Sequence, residues 1–164
     1  MNADGARSMS SAALPIPIEE LLLQRYEMLM LDCLYDFGAD HVEVGATVTA
    51  RHPLVDDPRG LPAWVGIELM AQAVSVFSGL ELRARGLPLR IGLLLGARAY
   101  EARVPFFATG AQLKVRAVLA LRDASGLGVF DCTISEREQL LARGRVKGYM
   151  PENIDQFLES GAHG

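Results

Sequence analysis

One stretch decides the fold of this chain: LPAWVGIELMAQAVSVFSGLELRARGLP, residues 61–88. Pro62 suits the first turn of a helix, and Gly86 followed by Pro88 suits the positions just beyond its end, so the stretch predicts a helix over residues 62–84. Nearly every side chain between these bounds is apolar, and we therefore expect the helix to be buried nearly all round. The exceptions fall on one stripe, at spacings of three or four residues: Glu68, Gln72, Ser75 and Gly79.

The rest of the chain carries mostly strand patterns. We expect residues 1–14 to form a disordered tail and residues 15–160 a single domain. The fold class is α+β, with one antiparallel sheet wrapped around one long buried helix. Such a sheet has two edges and cannot cover the helix on every side, which predicts a dimer. The remaining predicted elements are a short helix at 17–23, strands at 28–35, 42–52, 90–101, 111–122, 127–135 and 139–149, and a terminal helix at 151–160.

Composition and charge exclude several classes of function. The chain has 164 residues and a formal net charge of −4, which argues against a nucleic-acid partner. Its apolar stretches are interrupted by charged residues and fall short of the ~20 residues of a membrane span, so no membrane partner is expected. Cys33 and Cys132 lie far apart without clustered histidines, so we expect no metal. No glycine-rich phosphate loop is present, which argues against a nucleotide site. With no signal-peptide pattern either, the expected location is the cytoplasm.

Two ionisable residues stand out. The alternating run that begins at Val42 ends at His52, and its parity aims the imidazole at the interior; the alternative is a ring that only bonds nearby backbone groups. Glu68 lies among apolar helix neighbours, where desolvation favours the protonated acid that general acid catalysis needs. The alternative there is a carboxylate that faces solvent or pairs with an arginine. The first helical turn, Pro62 to Val65, offers unpaired backbone amides for negative charge on an oxygen.

Several motifs together resemble one enzyme family. Residues 61–73, preceded by His52-Pro53, resemble the signature of hotdog-fold 3-hydroxyacyl-(acyl carrier protein) dehydratases of the FabA/FabZ type. Residues 24–32 are similar to the opening strand of that family, and residues 96–106 to its strand before a proline turn. The likeness covers about residues 16–150, and the sequence of residues 61–68 is most similar to the branch found in aryl polyene pigment clusters. The chain departs from the family pattern at Pro53-Leu54, where the family has Phe-Pro, and at Ala63, where it has glycine.

The resemblance implies a specific reaction, the dehydration of a 3-hydroxyacyl thioester to the trans-2-enoyl thioester. By analogy, His52 removes the proton next to the thioester carbonyl, and Glu68 of a neighbouring subunit protonates the leaving hydroxyl. The backbone amide of Ala63 would bind the thioester oxygen, and Gln72 would support Glu68. No cofactor is implied, because the substrate arrives on the phosphopantetheine arm of an acyl carrier protein. The implied assembly is a homodimer or a higher homo-oligomer. A docking patch for the acidic carrier protein is expected among Arg83, Arg85, Arg90, Arg98 and Arg103; the alternative for each arginine is an ordinary solvated surface side chain.

Two alternatives stay open at this point. A hotdog acyl thioesterase would share the helix carboxylate but would lack a histidine at the position of His52. A non-catalytic hotdog subunit would complete a heteromeric dehydratase, and the altered His52-Pro53-Leu54 motif keeps this alternative open. Acyl chain length, aromatic or aliphatic character, and isomerase activity are not encoded in any motif of the sequence.

Overall fold

The central helix begins and ends close to its predicted bounds. The computed structural model describes residues 14–161; the predicted tail therefore lies almost wholly outside the described residues. Helix α1 spans Gly66–Ala84 and follows directly on a single 3-10 turn, Ala63–Val65. The terminal helix α2 spans Ile154–Gly161. The helix predicted at 17–23 is shorter than expected, a 3-10 turn of three residues, Ile18–Glu20.

Within residues 14–161, eight strands form two antiparallel sheets. The strand bounds are β1 Cys33–Phe37, β2 His41–Thr47, β3 Gly60–Pro62, β4 Leu93–Ala102, β5 Phe106–Ala108, β6 Gln112–Arg122, β7 Leu127–Glu136 and β8 Gln139–Tyr149. Six of them form the large sheet in the order β1-β2-β6-β7-β8-β4, and β3 pairs with β5 in a small one. All the pairings between these strands are antiparallel, which confirms the predicted α+β class.

The core lies between α1 and the large sheet. Phe77 of the helix is buried and packs edge-on against Phe130 of β7, with ring centroids 5.4 Å apart. Burying a side chain of this size contributes roughly 1.5–3 kcal/mol, so this contact helps to hold the helix on the sheet. On the other side of α1, a Cβ atom at Gly79 would lie 2.0 Å from the carbonyl oxygen of Leu21. Glycine at this position therefore lets the N-terminal segment lie directly on the helix.

The prediction that α1 is buried nearly all round holds for one side only. Trp64, just before the helix, is 63% exposed, and Glu68, Ser75 and Ser78 line an open groove of about 830 Å³. By length and composition alone, residues 63–84 could cross a membrane, with a mean hydropathy of 1.4. Yet 67% of the most apolar part of this helix is buried inside the fold, as is usual for a core helix.

The prediction of one strand over residues 42–52 is wrong at its C-terminal end. Strand β2 ends at Thr47, opposite Gln112, because its partner β6 begins there after a turn in which Gly110 has a φ of 85°. Beyond Thr47 the chain turns, and the amide of His52 donates to the carbonyl of Thr49 at 3.2 Å. Strand parity therefore does not orient His52. Similarly, the strand predicted from residue 28 begins only at Cys33, after a 3-10 turn at Tyr26–Met28.

Candidate active site

His52 has both ring nitrogens engaged by backbone groups. The amide of Leu54 donates to Nδ1 at 3.1 Å, so Nδ1 must be the unprotonated acceptor. The proton is thereby assigned to Nε2, which donates to the carbonyl oxygen of Glu27 at 3.0 Å. This arrangement is the alternative that the sequence left open, an imidazole bonded to the backbone. In this conformation neither nitrogen has a free lone pair for a proton.

The imidazole of His52 lines a small cavity of about 90 Å³. Asp32 also lines it, and its carboxylate accepts the amide of Thr47 at 2.5 Å. Apolar side chains form much of the rest, Leu29, Val55, Leu61, Leu69 and Leu113 among them. The cavity is too small for an acyl thioester within one chain, because drug-sized ligands occupy roughly 300–1,000 Å³.

Glu68 and Gln72 form a pair one helical turn apart on α1. Gln72 is fully buried and donates from Nε2 to Oε1 of Glu68 at 2.8 Å. The same nitrogen donates to the carbonyl of Met28 at 2.6 Å, and Oε1 of Gln72 accepts the amide of Met30 at 3.0 Å. The amide group of Gln72 is therefore satisfied inside the fold, and it holds the partly buried carboxylate of Glu68 at a fixed position.

The peptide of Ala63 is fixed at both ends. Its amide donates to the carbonyl of Pro105 at 3.0 Å, and its carbonyl accepts the hydroxyl of Tyr100. The prediction that the Ala63 amide receives a thioester oxygen is thus not supported by this geometry, because β3–β5 pairing already uses that donor. The next amide, that of Trp64, belongs to the first turn and has no acceptor within its own helix, whereas the 3-10 geometry pairs the Val65 amide with the Pro62 carbonyl.

His52 and Glu68 of one chain face different spaces. His52 lines the small cavity, whereas Glu68 lines the groove of about 830 Å³ that runs along the exposed side of α1. Leu22, Leu93 and Tyr149 also line this groove. A single chain therefore does not bring the two predicted catalytic side chains into one pocket, and any direct pairing of them needs a second chain.

Two of the five arginines predicted to dock a carrier protein line this groove, namely Arg85 and Arg90. Arg83 is instead paired with Glu20, at 2.6 Å. The other two are exposed, on β4 and just after it: Arg98 and Arg103.

Sequence reasoning missed Tyr100 and the backbone of residues 27–30. Tyr100 reaches Ala63 from β4, 37 residues along the chain, and burial raises the pKa of its phenol to about 12, so the hydroxyl remains a donor. Neither carries a sequence signal, because a backbone carbonyl has no side-chain signature and a single tyrosine in a strand is ordinary.

The sheet order, the long helix against the sheet and the groove beside Glu68 together define a hotdog-fold protein. The chain belongs to the ApeP-like family, described as ApeP dehydratase, whose model matches residues 16–159. The predicted resemblance to a hotdog dehydratase of this branch is thereby confirmed.

Solved structures agree with this placement. The chain is similar to a chain of the dehydratase heterocomplex ApeI:P from Xenorhabdus doucetiae, with 31% identity and a TM-score of 0.81, covering 87% of this chain and 96% of that one. AziG from S. sahachiroi (18% identity, TM-score 0.56, 74% and 90% covered) and the E. coli PaaI protein of the phenylacetic acid degradation operon (19%, 0.55, 71% and 80%) share the fold. No match was found among curated proteins.

Proposed function

We propose that this chain dehydrates a 3-hydroxyacyl thioester, carried on an acyl carrier protein, to the trans-2-enoyl thioester. The observation that carries the proposal is its membership of the ApeP-like dehydratase family over residues 16–159. The likeness of residues 61–68 to the aryl polyene branch supports polyene-type biosynthesis as the setting. The partly buried carboxylate held by Gln72 supplies a candidate acid for the leaving hydroxyl.

The proposed chemistry uses His52 as base and Glu68 as acid. The imidazole accepts the C2 proton, the C2–H electron pair forms the C2=C3 bond, and the C3–O bond breaks. Protonated Glu68 gives its proton to the departing oxygen, so water leaves. The imidazolium of His52 then releases its proton to solvent, and Glu68 takes one up from solvent. Since the Ala63 amide is engaged, we assign stabilisation of the thioester oxygen to the first-turn amide of Trp64.

The site is proposed to form between two copies of the chain. One chain places His52 and Glu68 in separate spaces, and a second copy would bring the Glu68 groove of one chain to the His52 cavity of the other. The edge strand β4 is suited to such an interface, because Leu94 and Leu95 are 46% and 50% exposed along it. Arg85 and Arg90, at the groove, would attract the acidic carrier protein.

Two substitutions test the catalytic assignment. His52→Ala and Glu68→Gln should each lower kcat by about 10²–10⁴-fold, the usual worth of one general acid or base. The assay incubates purified chain with 3-hydroxyacyl carrier protein and detects loss of one water by mass spectrometry. Asp131→Asn, which removes an exposed carboxylate paired with Arg145 at 2.7 Å, is the matched control and should retain full activity.

The outcome also separates the alternatives. Turnover by the chain, lost in both variants, supports the proposal, whereas full activity in either variant refutes the assigned roles. Release of free thiol without dehydration would instead identify a thioesterase.

A second candidate function is that of a subunit in a heteromeric dehydratase. Two observations favour it: the 31% identical structure is a dehydratase heterocomplex, and both ring nitrogens of His52 are engaged in this chain. Inactivity of the chain alone, with activity restored by a second hotdog dehydratase, would support this function over the homodimeric enzyme.

A further inference from the structure

The backbone segment of residues 27–30 lies between the two proposed catalytic residues of one chain. The Glu27 carbonyl accepts Nε2–H of His52 at 3.0 Å. One residue further, the Met28 carbonyl accepts Nε2 of Gln72 at 2.6 Å, and the Met30 amide donates to Oε1 of Gln72 at 3.0 Å. Gln72 also donates to Glu68. A continuous path of hydrogen bonds and four backbone residues thus joins the carboxylate of Glu68 to the imidazole of His52.

The Glu27 carbonyl fixes the tautomer of His52. With Nδ1 accepting the Leu54 amide, the ring proton is on Nε2, and Glu27 holds it there. His52 then accepts a substrate proton at Nδ1, once the Leu54 amide has released that lone pair, and Nε2–H stays on the Glu27 carbonyl. The backbone of the 27–30 segment therefore decides which ring nitrogen can act as the base.

The segment is under conformational strain at its start. Tyr26 has a φ of 55°, a region that a non-glycine residue adopts at a cost, and no packing of its side chain compensates, since it is 89% exposed. Gln72, by contrast, is fully buried and holds the segment through two hydrogen bonds. Gln72 thus adds to the hydrogen bonds of the turn itself, Met28 amide to Arg25 carbonyl at 3.2 Å and Leu29 amide to Tyr26 carbonyl at 3.0 Å, in holding the segment.

We propose that Gln72 is a positioning residue that couples Glu68 to His52 through residues 27–30, and that this segment, by holding the ring proton on Nε2, leaves Nδ1 of His52 as the nitrogen that accepts the substrate proton. The coupling itself rests on contacts within the chain, while its importance for turnover rests on the dehydratase function proposed above. Movement of the segment releases His52 and, through Gln72, loosens Glu68 at the same time.

The test reads the chemistry of His52 and does not need enzyme activity. Diethyl pyrocarbonate acylates an imidazole only at an unprotonated and accessible nitrogen, and peptide mass mapping reports the rate at His52 separately from other histidines. Gln72→Met keeps the side-chain volume but removes both hydrogen bonds to the segment. We expect the rate at His52 to rise at least tenfold, with faster hydrogen exchange of the Met30 amide. Ser75→Ala is the control on the same helix, because its hydroxyl bonds only to Ala71 of α1.

A second variant covers the case in which Gln72→Met does not fold. Tyr26→Val places a β-branched residue at the positive φ, which it tolerates poorly, at an exposed position that does not threaten the core. We expect at least a threefold faster reaction at His52. In wild type, ring-nitrogen NMR should show the proton on Nε2. Reaction rates equal to wild type in the variants that fold, or a wild-type ring protonated on Nδ1, would overturn the coupling. Neither result depends on whether the chain dehydrates a thioester.

Discussion

Tyr100 illustrates how a single side chain fixes the start of the central helix. The register of β4 against β8 shifts between Arg98 and Glu101, and Ala99 has a φ of 50° within this bulge. A bulge of this kind re-aims a side chain, and here the Tyr100 ring packs against the core while its hydroxyl reaches the Ala63 carbonyl. A Cβ atom at Gly66 would lie 2.2 Å from that hydroxyl oxygen. Glycine at position 66 is therefore what lets the tyrosine reach the first turn.

The hydroxyl of Tyr100 should contribute to stability independently of catalysis. Tyr100→Phe keeps the ring and removes the donor, and we expect the free energy of unfolding to fall by about 0.5–1.5 kcal/mol, the net worth of one hydrogen bond. Urea titration measures this change. Tyr149→Phe, at the end of β8, controls for the loss of a phenol from the sheet. A Tyr100→Phe variant as stable as wild type would show that the contact with Ala63 contributes nothing.

At the scale of an element, the β1–β2 hairpin carries a histidine between two carboxylates. His41 lies 2.9 Å from Asp40 through Nδ1 and 2.9 Å from Asp36 through Nε2. Hydrogen bonds to Asp40 and then Asp36 raise the pKa of His41 above its usual 6.5, and the bond to His41 lowers the pKa of Asp40 below its usual 3.8. The charged imidazole therefore stabilises the folded hairpin.

Because folding raises the pKa of His41, the stability of the protein should decrease as the pH rises. The stabilisation from His41 is fully present below its unfolded pKa of about 6.5 and is lost as the pH rises through the folded pKa. We expect the unfolding free energy to decline across this window, and His41→Gln to remove that decline. Loss of the partly buried pair with Asp36 should cost about 0.2–1 kcal/mol at pH 6. Thermal unfolding of both proteins at several pH values checks this, with Asp36→Asn expected to weaken the decline. An unchanged pH profile in His41→Gln would contradict it.

At the scale of the whole molecule, the chain leaves a sheet edge and one side of its central helix uncovered. Among the residues that the structure describes, strand β4 pairs only with β8 in the large sheet, so its outer edge leaves backbone groups open to a second chain beside Leu94 and Leu95. The groove along α1 opens on the same chain and includes Leu93 and Leu94 in its lining. The uncovered surfaces are thus continuous, as an interface with a second chain would require.

Substitutions on strand β4 test whether the chain forms a dimer through this edge. We expect wild type to sediment as a dimer, and Leu94→Glu combined with Leu95→Lys to weaken association at least tenfold, because charges on an edge strand oppose pairing. Analytical ultracentrifugation over a range of concentrations measures the change. Leu121→Glu alters an equally exposed leucine, 55%, on the interior strand β6, and should leave the dimer intact. A wild-type chain that stays monomeric alone and associates only with another hotdog chain would replace the homodimer by a heterodimer.

The sequence by itself determined the central helix, the order of strands after it and the family. These follow from local signals: Pro62 and Gly86 bound the helix, and the alternation in β6 and β8 needs only neighbouring residues. The motif around Glu68 and Gln72 was readable for the same reason, since residues four apart share one face of a helix.

Only the tertiary structure decided what surrounds these residues. The alternating pattern from Val42 predicted that His52 points inward from a strand. The strand ends at Thr47, because its partner strand begins only at Gln112. The amide of Ala63 was taken by Pro105, and the imidazole of His52 was capped by Glu27, through contacts between segments distant in sequence. Backbone donors and acceptors are present at every residue, so the sequence does not mark which of them will meet. That choice is made when the chain packs and each buried polar group finds a partner.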